Sequence, residues 1–71
     1  MVNSQKLTEL IREKGLKQET LAEMLGIKQS SLSLKIHNKR PFYLSEAALL
    51  ATALGIPDEK FGTYFFANEV A

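Results

Sequence analysis

The sequence predicts an all-α domain of five short helices, and three observations carry that expectation. Apolar residues recur at helical spacing in separate segments, as in Leu7, Leu10, Ile11 and again in Leu21, Ala22, Leu25. Gly15, Gly26 and Gly55 stand directly behind such segments, where helices stop. No stretch alternates apolar and polar residues convincingly enough to read as a strand.

Each element follows in order. Ser4 is a plausible N-cap for a first helix over about 4–14. The second spans about 17–25, with Gly26 as a left-handed C-cap residue. The third spans about 29–37 and buries Leu32 and Ile36; Asn38, the next best residue for a left-handed exit, closes it. Pro41 forbids continuation and pushes Arg40 towards an extended conformation. Ser45 caps a fourth helix over about 45–54, where Ala47, Ala48, Leu50, Ala51 and Leu54 supply a mostly buried segment. Pro57, Asp58 and Glu59 suit a helix start, so a short fifth helix covers about 57–62. Residues 63–71, with Tyr64, Phe65, Phe66 and Val70, read as an apolar C-terminal tail without a period.

Composition narrows the classes. Seventy-one residues make a single domain near the small end of what folds without staples, and 45% hydrophobic residues are ample for a core. The absence of cysteine removes disulfides, thiolate zinc sites and cysteine nucleophiles. With no basic leader running into an apolar segment and no run of membrane-spanning length, the expectation is a soluble, intracellular chain. One histidine, no cysteine and no Gly-rich phosphate loop leave little material for catalysis or metal binding, so neither an enzyme nor a cofactor is expected.

The formal net charge of +1 hides an uneven distribution. No acidic residue lies between Glu23 and Glu46, whereas Lys28, Lys35, Lys39 and Arg40 fall inside that gap. A local basic face attracts phosphates even when the total nearly cancels; otherwise it is a solvated surface. The gap coincides with two short helices hinged on Leu25-Gly26-Ile27, the pattern of a helix-turn-helix unit that offers one polar helix surface to a DNA groove.

Those residues carry a resemblance. Gln18-Glu19-Thr20-Leu21-Ala22, Leu25-Gly26-Ile27 and Gln29-Ser30-Ser31-Leu32-Ser33 resemble the helix-turn-helix of the Cro/CI (XRE) repressor family. The continuation Lys35-Ile36-His37-Asn38-Lys39-Arg40-Pro41-Phe42, leading to Leu44, Glu46 and Ala47, is similar to small phage and prophage regulators of Gram-positive bacteria. The likeness covers roughly residues 4–61 and implies a compact five-helix bundle of lambda-repressor-like type. It further implies a homodimer on double-stranded operator DNA in the cytoplasm of a bacterial host cell, with the third helix in the major groove.

Carried over by position, the resemblance gives Gln18 a phosphate contact and a bracing role towards Gln29, and gives Gln29 an adenine edge to read. Glutamine can pair bidentately with adenine N6 and N7, although both residues also suit exposed helix starts. Lys28, Ser30 and Ser31 lie beside the expected groove. Ser31 serves equally well as a base or phosphate contact and as a hydroxyl satisfying free N–H groups. Ser33 faces away from the buried side, its small size permitting close approach. Lys35 belongs to the basic set, and His37, Asn38, Lys39 and Arg40 match the loop that relatives press against the phosphate backbone.

Leu34 departs from the pattern. It lies about 200° around the helix from both Leu32 and Ile36, on the exposed side, where relatives place a polar or small residue. It can meet a thymine methyl, or belong to a protein–protein surface. The second option keeps open another function on the same scaffold: an antirepressor that sequesters a CI-type repressor in a hetero-complex.

Overall fold

The computed structural model describes residues 1–66, and these form five α-helices with one 3-10 turn and no strand. The helices are α1 (Ser4–Glu13), α2 (Gln18–Leu25), α3 (Gln29–Ile36), α4 (Leu44–Leu54) and α5 (Phe61–Phe65), with the 3-10 turn at Asp58–Lys60 ahead of α5. α2 packs on α3 and α4, while α1 lies against α3 and α5. Leu7 of α1, Leu21 of α2, Leu32 and Ile36 of α3, and Leu50 and Leu54 of α4 are fully buried where these helices meet. Fully burying one such side chain contributes roughly 1.5–3 kcal/mol, so this cluster fixes the orientation of α3.

Two expected caps move by one or two residues. Asn3, not Ser4, caps α1: its backbone is extended and its Oδ1 accepts from the Lys6 N–H at 3.0 Å, leaving Ser4 inside the first turn. α4 begins at Leu44 with Tyr43 as its N-cap, so Ser45 is an exposed first-turn residue rather than the cap. The Glu46 carboxylate replaces it by accepting from the Tyr43 N–H at 2.9 Å.

The C-terminal third differs most from expectation. Asp58–Lys60 is only a 3-10 turn, and α5 starts where the sequence pattern suggested an end. Phe61 and Phe65, four residues apart, stack with ring centroids at 4.7 Å, and Phe65 is buried in the core. Residues 63–65 are therefore helical, held by aromatic packing that a five-residue helix is too short to reveal in its pattern. Val70 and the remainder of the expected tail lie outside the described residues.

Candidate nucleic-acid interface

The hinge between α2 and α3 is built from local chemistry. Gly26 takes the left-handed conformation at φ 73°, and the Ile27 N–H closes back on the Ala22 carbonyl at 3.0 Å. Ile27 packs half-buried against the core, and Lys28 then extends the chain into the first turn of α3. With Leu32, Lys35 and Ile36 inward, steps of about 100° per residue put Ser30 and Leu34 on the opposite side.

Exposure follows that geometry. Lys28, Gln29 and Ser30 are exposed, and Ser31 and Ser33 are half-buried on the two flanks of the outward face. Ser33 is thus less outward than expected, because it lies about 100° from Leu32 and borders the buried arc. Leu34 is 37% exposed, consistent with a register in which Leu32 and Ile36 fill the core. Gln18 opens α2 half-buried and makes no side-chain hydrogen bond among the described residues; it does not brace Gln29 in the free protein. No acidic residue occupies the first turn of α3, and no side chain caps it, so its free N–H groups remain open to water or phosphate.

Two of the expected contact residues have side chains engaged within the fold. Lys35 is only 7% exposed and forms an ion pair with Glu46, itself 8% exposed, at 2.5 Å. A lysine three positions after Leu32 falls on the buried arc, and the carboxylate waiting there makes burial tolerable. The Lys35 ammonium also lies 4.9 Å from the centre of the Tyr43 ring. Burial pushes the Glu46 carboxyl up, but the Lys35 hydrogen bond, the Tyr43 N–H and the lysine charge outweigh it and hold the group below its ordinary value.

Asn38 is the second such residue. Its φ of 62° meets the left-handed expectation, but its side chain is engaged with the start of the chain. Oδ1 accepts from the Val2 N–H at 2.9 Å and Nδ2 donates to the Val2 carbonyl at 3.0 Å, leaving the amide committed rather than presented to a phosphate. The Asn3 N–H donates to the Tyr64 carbonyl at 2.7 Å, so residues 2 and 3 stitch the α3 exit to α5.

Next to this stitched position the cations point outward. Lys39 and Arg40 are exposed and make no side-chain hydrogen bond or ion pair among the described residues. His37 is exposed, with Nδ1 donating to the Ser33 carbonyl at 2.9 Å and Nε2 left available. Glu46, missed as a site-building residue, had one signal: it shares the four-residue spacing of Leu50 and Leu54.

A polar helix face supported by a second helix across a glycine hinge, with exposed cations at its entrance and exit, defines a helix-turn-helix nucleic-acid-binding module. Residues 7–61 match the helix-turn-helix family model, and the chain belongs to this family, of XRE type. It is accordingly a DNA-binding regulator with double-stranded DNA as its partner. No curated protein and no solved structure matches it at a significant level. Among the described residues no group of His, Cys, Asp or Glu is arranged to hold a metal, and no helix is long and apolar enough to cross a membrane.

Proposed function

We propose that the chain is a sequence-specific transcriptional regulator that binds operator DNA as a homodimer, a Cro-like repressor of a phage or prophage lysis–lysogeny switch. One observation carries this reading. Gln29 and Ser30 open α3 exposed and unclaimed by the fold, with Lys28 before them and Lys39 and Arg40 beyond the helix. Gln29 then reads an adenine edge, Gln18, Ser31 and Ser33 support contact at the flanks, and His37, Lys39 and Arg40 anchor phosphates.

The test is a salt titration of binding to the DNA upstream of the protein's own gene, beside random DNA. Gln29→Ala weakens specific binding by about 1–3 kcal/mol and relaxes one base position. Lys39→Ala and Arg40→Ala each lower affinity on every sequence and flatten the salt slope by about one unit. Equal losses on specific and random DNA for the first variant remove Gln29 as a reader; unchanged slopes for the others remove the exit loop.

Leu34 favours a second reading. An exposed leucine at the centre of the groove-facing side, together with the neutralisation of Lys35, suits a protein-binding modulator that sequesters a CI-type repressor. Formation of a stable hetero-complex with such a repressor, with no measurable operator binding by the chain alone, would replace the first reading with this one.

A further inference from the structure

Behind the α3 exit lies a cleft of about 460 Å³, floored by the edge of the core and bordered by the cations of the exit loop. Its walls are Val2, Phe42, Leu44, Ala47, Phe65 and Phe66, and Lys39 and Arg40 stand at its edge. We infer that this cleft binds a small amphipathic anion: a flat aromatic ring bearing a carboxylate or sulfonate.

The volume lies within the roughly 300–1,000 Å³ typical of small-molecule sites, which are mostly apolar with a few polar groups to fix orientation. Three of these six apolar walls are aromatic. Phe42 meets Phe65 edge to face, with centroids at 5.8 Å and planes at 85°, and Phe66 tilts against Phe61 at 5.8 Å. Such walls favour a flat ring that presents its own edge or face.

Charge selects the other end of the ligand. Lys35 also borders the cleft, but Glu46 neutralises it. Lys39 and Arg40 have no side-chain partner, and no acidic residue lines the cleft among the described residues. Among the described residues, a monoanion seated on the apolar walls finds two uncompensated cations at the mouth, whereas a cation finds no carboxylate. The same cations are those assigned to phosphate contact under the operator reading. On that reading alone, ligand and DNA compete for them, and by linkage each weakens the other.

The experiment titrates the full chain with 1-anilinonaphthalene-8-sulfonate, following fluorescence, and compares the uncharged N-phenyl-1-naphthylamine. The expected result is saturable uptake of one sulfonate per folded chain, with the neutral analogue held about tenfold more weakly. The Lys39→Ala/Arg40→Ala double variant also loses about tenfold at an unchanged melting midpoint. Leu44→Glu, which places a carboxylate at an exposed position of the mouth, abolishes uptake without unfolding the chain. Absent or non-saturable uptake overturns the inference, as does binding indifferent to both variants. Uptake that falls with rising protein concentration, as dimers form, overturns it too, because a second copy then fills the cleft. None of these outcomes depends on DNA, so the site fails or stands separately from the operator reading.

Discussion

The two joints that flank α3 are closed by the same backbone bonds and held by different means. Before α3, Gly26 donates to the Glu23 carbonyl and Ile27 to the Ala22 carbonyl. After α3, Asn38 donates to the Lys35 carbonyl and Lys39 to the Leu34 carbonyl in the same arrangement. The first joint places a glycine in the left-handed position and follows it with an apolar residue that packs on the core. The second places an asparagine there and follows it with an exposed lysine. A cation after the turn cannot supply the packing that Ile27 supplies, and long-range contacts take over. Asn38 reaches Val2 thirty-six residues away, and Lys35 reaches Glu46 across the loop. The lesson is that the entrance to α3 is fixed by its own sequence, whereas the exit is fixed by partners elsewhere, which frees Lys39 and Arg40 to point outward.

The largest effect is expected at the ion pair that straddles the exit loop. Glu46→Ala strands the Lys35 ammonium in a buried site and also removes the acceptor of the Tyr43 N–H; a loss of about 3–5 kcal/mol follows. For a domain with a total of about 5–15 kcal/mol, that is a large share, visible as a fall in melting temperature. The double variant Lys35→Met/Glu46→Leu removes both charges and recovers most of the loss, since apolar replacements of similar volume fill the site. Failure of the double variant to recover would mean that the pair does more than neutralise itself.

The same pair sets a pH response. Glu46 is held below its ordinary value when folded, so its contribution is fully present above the unfolded glutamate value of about 4.3. The contribution is lost as pH falls from there through the lowered folded value. Stability measured against pH should therefore drop more steeply on the acid side in the parent than in the Lys35→Met/Glu46→Leu variant.

A smaller effect separates the two turn residues themselves. Gly26→Ala introduces a Cβ into open space, with nothing within 4 Å, and its cost is the left-handed backbone alone, about 1 kcal/mol. Asn38→Gly relieves that same backbone but orphans the Val2 N–H and carbonyl, at a cost of about 1–2 kcal/mol. Glycine, the best residue for the conformation, is thus expected to be the worse choice at position 38. Urea unfolding of the two variants side by side tests the order; a stabilised Asn38→Gly would show that the exit, too, is held by local chemistry.

This contrast also explains what could be read from the residues alone. The helix-turn-helix, the glycine at its hinge and the left-handed Asn38 were legible because each depends on a few consecutive residues. The withdrawal of Lys35 was half legible: its spacing from Leu32 indicated the buried arc, but an unpaired lysine there is costly, and Glu46 had to be placed first. The grip of Asn38 on Val2 was not legible, since nothing in the chain between them specifies that meeting. α5 was misplaced for a related reason: five residues carry too little pattern, and the helix owes its existence to Phe61, Phe65 and the core beneath them.

The smallest stability effect should belong to Leu34, the apolar residue that neither joint nor core employs. At 37% exposure it already meets solvent over part of its surface, and Leu32 and Ile36 hold the helix down without it. Leu34→Ser should therefore change stability by no more than about 0.5 kcal/mol, the range of surface substitutions. Its effect on binding should be larger, because covering the exposed third of the side chain with a partner contributes roughly 0.5–1 kcal/mol. If α3 enters the major groove, the loss falls on operator DNA and concentrates at one thymine, whose methyl group the leucine covers. If the outward face of α3 meets a repressor, the loss falls on that hetero-complex and any DNA binding scarcely changes. A marked drop in melting temperature would defeat both outcomes, since it would require Leu34 to sit in the core and the register of α3 to be rotated by about half a turn.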